Sequence, residues 1–442
     1  MFPRERALSV AALRVAIVGI LLATNEPRDA LHFIAAGLPW SPPEGLRFLA
    51  AHAASSPGLL AAGARAVFYA YSVSAVLALL GLYTRAALAM LLASAWVLFG
   101  IVQLGGAVVH DMHLLWLLAI LLACPSGDAL SVDAWLASAP GQSPASRLVG
   151  AADRRAVFGF AVFAGRTLLG VVYFFPGFWK LHESGLAWAL SDNLALQMHA
   201  KWLENGIVPE PRIDRMPAVI HTLGLLTLAF ELSFVALVHL GPRVRLGLAG
   251  AGLAFHAAIQ HFMLIPFTSL CAAYVLLLPW GGTDAPAQPT QRGLAPVSVV
   301  GAVLVAANVL QGLRGRTQSY PFACYPTFQW IASPTLPDLA LTALGDGAPR
   351  VVPHARDDAG RRTQQEWGTV WSVAGLYGVP FSTDRLVRYL AADRRGRPAV
   401  ERALRGATRV RADVVWLRTD PDAWGSPAVR TRELGVVTLG TP

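Results

Sequence analysis

The 442-residue chain is 55% hydrophobic and only 14% charged, with a net charge of +9. Soluble domains carry about 25% charged residues, so this composition excludes a chain bathed in water along its whole length. The basic residues are scattered among helix ends and the C-terminal region, without the stripe that marks a nucleic-acid reader.

Apolar runs near 8–24, 59–82, 86–107, 112–125, 156–178, 217–240, 244–264, 266–280 and 294–312 predict an all-α polytopic membrane bundle of about nine spans. The fourth and eighth are short for a hydrocarbon core of about 30 Å and call for tilt or extension by their flanks. Met1–Arg6 leads into a run that holds Arg14 and no Ala-x-Ala cleavage site, so the first run reads as a retained span. A Pro-rich loop, Gly37–Gly45, follows it. Between the fifth and sixth runs, the amphipathic stretch Ala187–Leu203 is expected at the membrane interface or re-entering the protein.

A slight excess of short-loop Lys and Arg on one side predicts a cytoplasmic N-terminus. The Ala-, Arg- and Gly-rich composition suggests a bacterial plasma membrane. Residues 1–315 then form the membrane domain, and 316–442 a small soluble α+β domain on the outer side. In the latter, Thr383–Arg405 reads as a charged amphipathic helix. Val410, Ala412, Val414 and Trp416 alternate with more polar neighbours, as in a half-buried strand. Cys124, Cys271 and Cys324 show neither metal spacing nor an obvious disulfide pair.

Ionisable residues inside hydrocarbon are costly, so each is a candidate for a role. Arg166 and Glu231 fall at similar depth, roughly 15 and 13 Å from the inner ends of their antiparallel spans at 1.5 Å per residue. They are expected to form an ion pair. It either locks two helices together or lets Arg166 also bind an anionic or quinol oxygen. On the outer half lie His110 and His113, which share a helical face, Lys180 and His182, His221, His256 with Gln260 one turn on, and His261. Each histidine alone reads as a hydrogen-bonded interfacial residue, but their convergence from four spans predicts a pocket. Lys180 has two readings: an amine snorkelling to the surface beside an aromatic-belt Trp179, or a desolvated general base.

Several segments taken together resemble the horizontally transferred transmembrane domain family, whose best-known members are the vitamin K-dependent gamma-carboxylases. They are Arg14, Gly81-Leu82-Tyr83-Thr84-Arg85, His113-Leu114-Leu115-Trp116, Pro125-Ser126-Gly127-Asp128, Ser131-Val132-Asp133, Tyr173–Lys180, Glu231-Leu232-Ser233-Phe234 and Phe255-His256. The resemblance covers residues 8–312. It implies an enzyme using a reduced, vitamin K hydroquinone-like quinone, with oxygen and carbon dioxide as co-substrates and a glutamyl peptide or protein as acceptor. Lys180 would match the base and His113 a histidine beside it. His256, Gln260, Trp179, His110 and Tyr173 would complete a quinol-binding pocket, and no metal is implied. Two features depart from the carboxylases: Trp179 replaces the first of two adjacent lysines, and the region after 312 is much shorter. A membrane transporter or scaffold, and a quinone-binding accessory subunit, are the competing readings. The broken-helix repeats usual in transporters are not visible.

Overall fold

A computed structural model describes residues 5–24, 26–35, 46, 57–103, 111–138, 155–280, 294–315, 319–322, 328–345, 347–354, 370, 373–374, 381–394 and 398–439. The Gly37–Gly45 loop, His110 and Cys324 lie outside these residues.

The membrane part is helical: α1 (Ala7–Ala23), α2 (Glu26–Ala35), α3 (Pro57–Leu80), α4 (Thr84–Gln103), α5 (Met112–Ala123), α6 (Val132–Leu136), α7 (Arg155–Ser184), α8 (Ala187–Leu190), α9 (Asn193–Asn205), α10 (Pro217–Leu237), α11 (Pro242–Met263), α12 (Thr268–Ala273) and α13 (Leu294–Arg314). Among the described residues, five helices are long and apolar enough to cross a membrane, within α3, α4, α7, α10 and α13. The other four of the nine expected spans are not confirmed, and the reasons are physical. α1 has 17 residues and lies in the protein core, with Val10, Leu13, Arg14, Ile17 and Leu21 all buried. α5 has only 12 residues. The eighth run breaks into α12 and a 3-10 turn, Tyr274–Leu277. α11 has the length, but Arg243, Arg245, Gln260 and His261 make it too polar.

Arg14 explains how a cation is kept inside this core. Its guanidinium donates to the carbonyls of Ala78 and Leu79 at the C-terminal end of α3, and to those of Ser126, Ala129 and Leu130 in the turn after α5. Those carbonyls lack intrahelical partners, so a buried arginine satisfies them and is satisfied in return. Asp133 completes the junction by accepting from the backbone of Tyr83 and Thr84 and from the Thr84 hydroxyl, which caps α4.

The stretch Ala187–Leu203 folds as α8 and the start of α9, and buries Trp188, Ala189, Ala195, Met198 and Trp202 against the bundle. It forms a cover over the Lys180 end of α7. The C-terminal region carries an antiparallel sheet in the order β2-β1-β3-β4, from β1 (Thr335–Gly345), β2 (Arg350–Val352), β3 (Ala407–Arg418) and β4 (Arg430–Thr438). β3 contains the expected alternating strand, with Val410, Ala412 and Val414 buried beside Leu339 and Leu341 of β1. The expected single helix over 383–405 is instead two, α14 (Thr383–Arg394) and α15 (Pro398–Leu404). Pro398 suits a first helical position and not an interior one.

Candidate functional site

Two glycines on α7 allow α10 to approach. A Cβ at Gly170 would meet the Val235 Cα at 2.9 Å, and one at Gly177 would meet the Glu231 Cβ at 2.8 Å. This approach brings the Glu231 carboxylate to Lys180, whose Nζ donates to Oε1 at 2.5 Å and Oε2 at 2.7 Å. The side chains are 4% and 8% exposed, so Lys180 does not snorkel. The Trp188 ring of α8 covers the ammonium at 5.1 Å from its centroid and is itself held by an indole N–H donated to the Phe328 carbonyl.

The expected Arg166–Glu231 pair does not form. α7 runs past the end of α10: the Phe163 ring lies 4.8 Å from His239, and the Thr167 hydroxyl 3.3 Å from its Nε2. Arg166 is therefore level with the C-terminal end of α10, about two turns away from Glu231. It pairs with Glu5 at 3.3 Å and donates to the Leu276 carbonyl at 2.8 Å.

Lys180 and Glu231 stand in the wall of a cavity of ≈ 140 Å³. α7 adds Val172, Tyr173 and Pro176 to that wall, α10 adds Leu223 and Thr227, and α11 adds Phe255, His256, Ala258, Ile259 and Phe262. Met198 of α9 and Phe328 of the C-terminal region contribute to it as well. The polar groups are few, and most are held, though the buried Nδ1 of His256 has no hydrogen-bond partner among the described residues. The Tyr173 hydroxyl lies 2.5 Å from His256 Nε2 and also bonds the Tyr274 hydroxyl. Its ring stacks on Phe234 at 4.2 Å. Gly252 leaves the space that the Tyr274 hydroxyl fills. Pro176 has no N–H, so the Val172 carbonyl loses its usual helical donor.

Of the residues expected in the pocket, Lys180, Tyr173 and His256 are brought together. Trp179 is not among them: one residue from Lys180 on a helix is about 100° around the axis, and its indole N–H donates to the Gly312 carbonyl of α13 at 2.8 Å. Gln260 is exposed, because the buried stripe of α11 passes through His256 and Met263 on the Ile259 side. His113 is buried on α5 but does not line the cavity. His182 and His261 are exposed. Tyr274, Trp188 and Phe328 were missed. A buried Tyr or Trp needs a polar partner, which is the one signal the first two offered. Among the described residues, no three His, Cys, Asp or Glu side chains gather as a metal site.

Comparison of this chain with protein-family models, curated proteins and solved structures finds no match.

Proposed function

We propose that the protein is a membrane enzyme that takes the ring of a reduced quinone into this cavity and removes a hydroxyl proton through the Lys180–Glu231 pair. The observation that carries the reading is a buried ion pair set in the wall of a largely apolar cavity whose other polar lining is Tyr173, Gln197, Thr227 and His256. At ≈ 140 Å³ the space compares with an engineered apolar cavity of ~150 Å³ that binds benzene, so a single ring fits it.

Glu231 already engages the Lys180 amine, so the two act as a unit and the lysine is not a free base. Glu231 accepts the hydroxyl proton, and the Lys180 ammonium faces the oxygen that has become anionic. A fixed charge in a dry site stabilises such an oxygen far better than water-screened charge does. Tyr173, two turns before Lys180 on α7, and His256 of α11 line the same cavity. The gamma-carboxylase resemblance adds oxygen, carbon dioxide and an outer-side glutamyl acceptor; the cavity geometry bears on the proton-removal step alone. The reading carries with it the N-inside orientation, which places the cavity and residues 316–442 toward the outer leaflet of a bacterial plasma membrane.

The test uses the full chain in lipid nanodiscs with a single-ring reduced benzoquinone and, in parallel, the two-ring reduced vitamin K that the resemblance implies, each with oxygen and carbon dioxide. Wild type is compared with Lys180→Met, Glu231→Gln and the double variant Lys180→Met/Glu231→Leu. Quinol oxidation or epoxide formation is expected in the wild type and at least about 100-fold less in each variant. A folded wild type that neither binds nor turns over quinol overturns the reading. Binding without turnover favours a quinone-binding accessory subunit.

A further inference from the structure

α10 and α11 run antiparallel along one side of the cavity, and both contribute residues to its wall. Phe230 and Phe255 meet with ring centroids 4.8 Å apart at one end of the seam. At the other end, Leu223 and Ile259 pack onto the cluster that contains Ile220 and Met263. One helical turn from the phenylalanine pair, the antiparallel register sets Thr227 level with Ala258. Both are small, both are half-buried, and both belong to the cavity wall. The Thr227 hydroxyl donates its proton to the Leu223 carbonyl at 2.8 Å, so this stretch of the helix seam offers methyl groups and no free hydrogen-bond donor. Leu225 and Leu226 beside it are exposed on a helix long and apolar enough to cross a membrane, and Leu253 is exposed on α11. In a bilayer such surfaces face lipid.

We propose that the seam between Thr227 and Ala258 is a lateral mouth, and that the ligand is a ring compound whose apolar tail passes through it into the bilayer. This rests on the ring-binding reading above and adds the tail and its route. The cavity has room for one ring, so any further part of a ligand held at Lys180 and Glu231 must lie outside it. The side of the cavity formed by α10 and α11 offers that part lipid in place of water.

Two arms test this. In the first, Ala258→Cys is made in a background with Cys124, Cys271 and Cys324 replaced by serine. In nanodiscs, a bilayer-partitioning maleimide is expected to modify it severalfold faster than a sulfonated, lipid-excluded one. Equal rates, or faster reaction with the sulfonated reagent, put the mouth in water and overturn the proposal. This arm needs no ligand, so it stands even if quinones do not bind. In the second arm, decylubiquinone, a single-ring benzoquinone with an alkyl tail, and its tail-less parent benzoquinone are titrated into wild type, Thr227→Trp and Ala258→Phe. The tail is expected to strengthen binding to wild type at least about tenfold, and the ratio of the two affinities is expected to fall toward one in the plugged variants, whatever the wall substitutions do to ring binding itself. Equal effects on both quinones, or none, overturn the lateral route. Failure of both quinones to bind wild type overturns the ring-binding reading and the tail assigned to the mouth with it.

Discussion

The Lys180 ammonium sits between the two carboxylate oxygens of Glu231, at 2.5 and 2.7 Å, with neither side chain more than 8% exposed. Each charge alone would be stranded in an apolar interior, and together they neutralise each other. Removing one partner leaves a bare buried charge, which costs about 3–5 kcal/mol, whereas replacing both by apolar groups is close to neutral. Lys180→Met and Glu231→Leu are each expected to destabilise the protein by that amount, and the double variant to recover most of it. Unfolding in detergent micelles, followed by tryptophan fluorescence, measures this as a coupling energy. Simple addition of the two losses would show that the charges do not act as a unit.

Glu231 was legible as a costly ionisable residue inside an apolar run and Lys180 as a lysine just past the end of one; their pairing was not. Hydropathy marks where a helix is apolar, but α7 continues through 30 residues and overshoots α10, which changes the register by about two turns. Lys180 and Trp179 are neighbours in sequence and point to different helices, so proximity in the motif overstated Trp179. Tyr274 escaped notice because its role depends on Gly252 of another helix, a relation that no local pattern encodes.

The Tyr274–Tyr173–His256 chain depends on that glycine. Alanine at 252 would drive its methyl group into the Tyr274 hydroxyl and ring. Gly252→Ala is therefore expected to destabilise the protein by about 1–3 kcal/mol, the usual cost of overpacking, and to release Tyr274 from Tyr173. Tyr274→Phe in the same background restores part of the loss, since a smaller side chain then meets the methyl. Thermal unfolding of the two variants and their combination checks this. A Gly252→Ala protein as stable as wild type would mean that Tyr274 is not held there.

The motifs Gly81–Arg85, Pro125–Asp128 and Ser131–Asp133 were legible only as an ordered series along the chain. The fold shows why they occur together: all three meet at Arg14 and Asp133. Burial would raise the Asp133 carboxyl, but hydrogen bonds from Thr84 and Tyr83 and the charge of Arg14 outweigh it and hold its pKa below the ordinary 3.8. A depressed carboxyl contributes stability that is complete above pH 3.8 and is lost as pH falls through its lower folded value. Asp133→Ala is expected to cost about 1–2 kcal/mol near neutral pH, as for loss of a helix cap, and less in strong acid, where wild type has itself lost the carboxylate's contribution. Unfolding midpoints across the acid range for both proteins give the measurement; a constant difference at every pH would contradict it.

The C-terminal region is tied to the cover of the cavity by a charge network of unequal parts. Asp214 accepts two hydrogen bonds from Arg212 and lies 2.9 Å from His199, while Arg215 reaches across to Asp422 at 2.8 Å. Trp424, two residues after Asp422, packs against the cluster of Trp202 and Ile213. Burial opposes the charge on Asp214, yet the bonds from Arg212 and His199 prevail and bring its pKa down to about 2. Its stabilising contribution is thus complete above pH 3.8 and lost as pH falls toward about 2. Asp422 also lies 3.6 Å from Arg212, but its carboxylate and Arg215 are both exposed, so salt screens these contacts and their removal changes little. Asp214→Asn is accordingly expected to increase hydrogen exchange around Trp424 and in 199–216 at neutral pH, and Asp422→Ala to leave it near wild type. High salt should reproduce the second variant and not the first. If Asp422→Ala opened the contact as fully as Asp214→Asn, the docking would rest on the surface pair, and the buried Arg212–Asp214 bonds would be incidental to it.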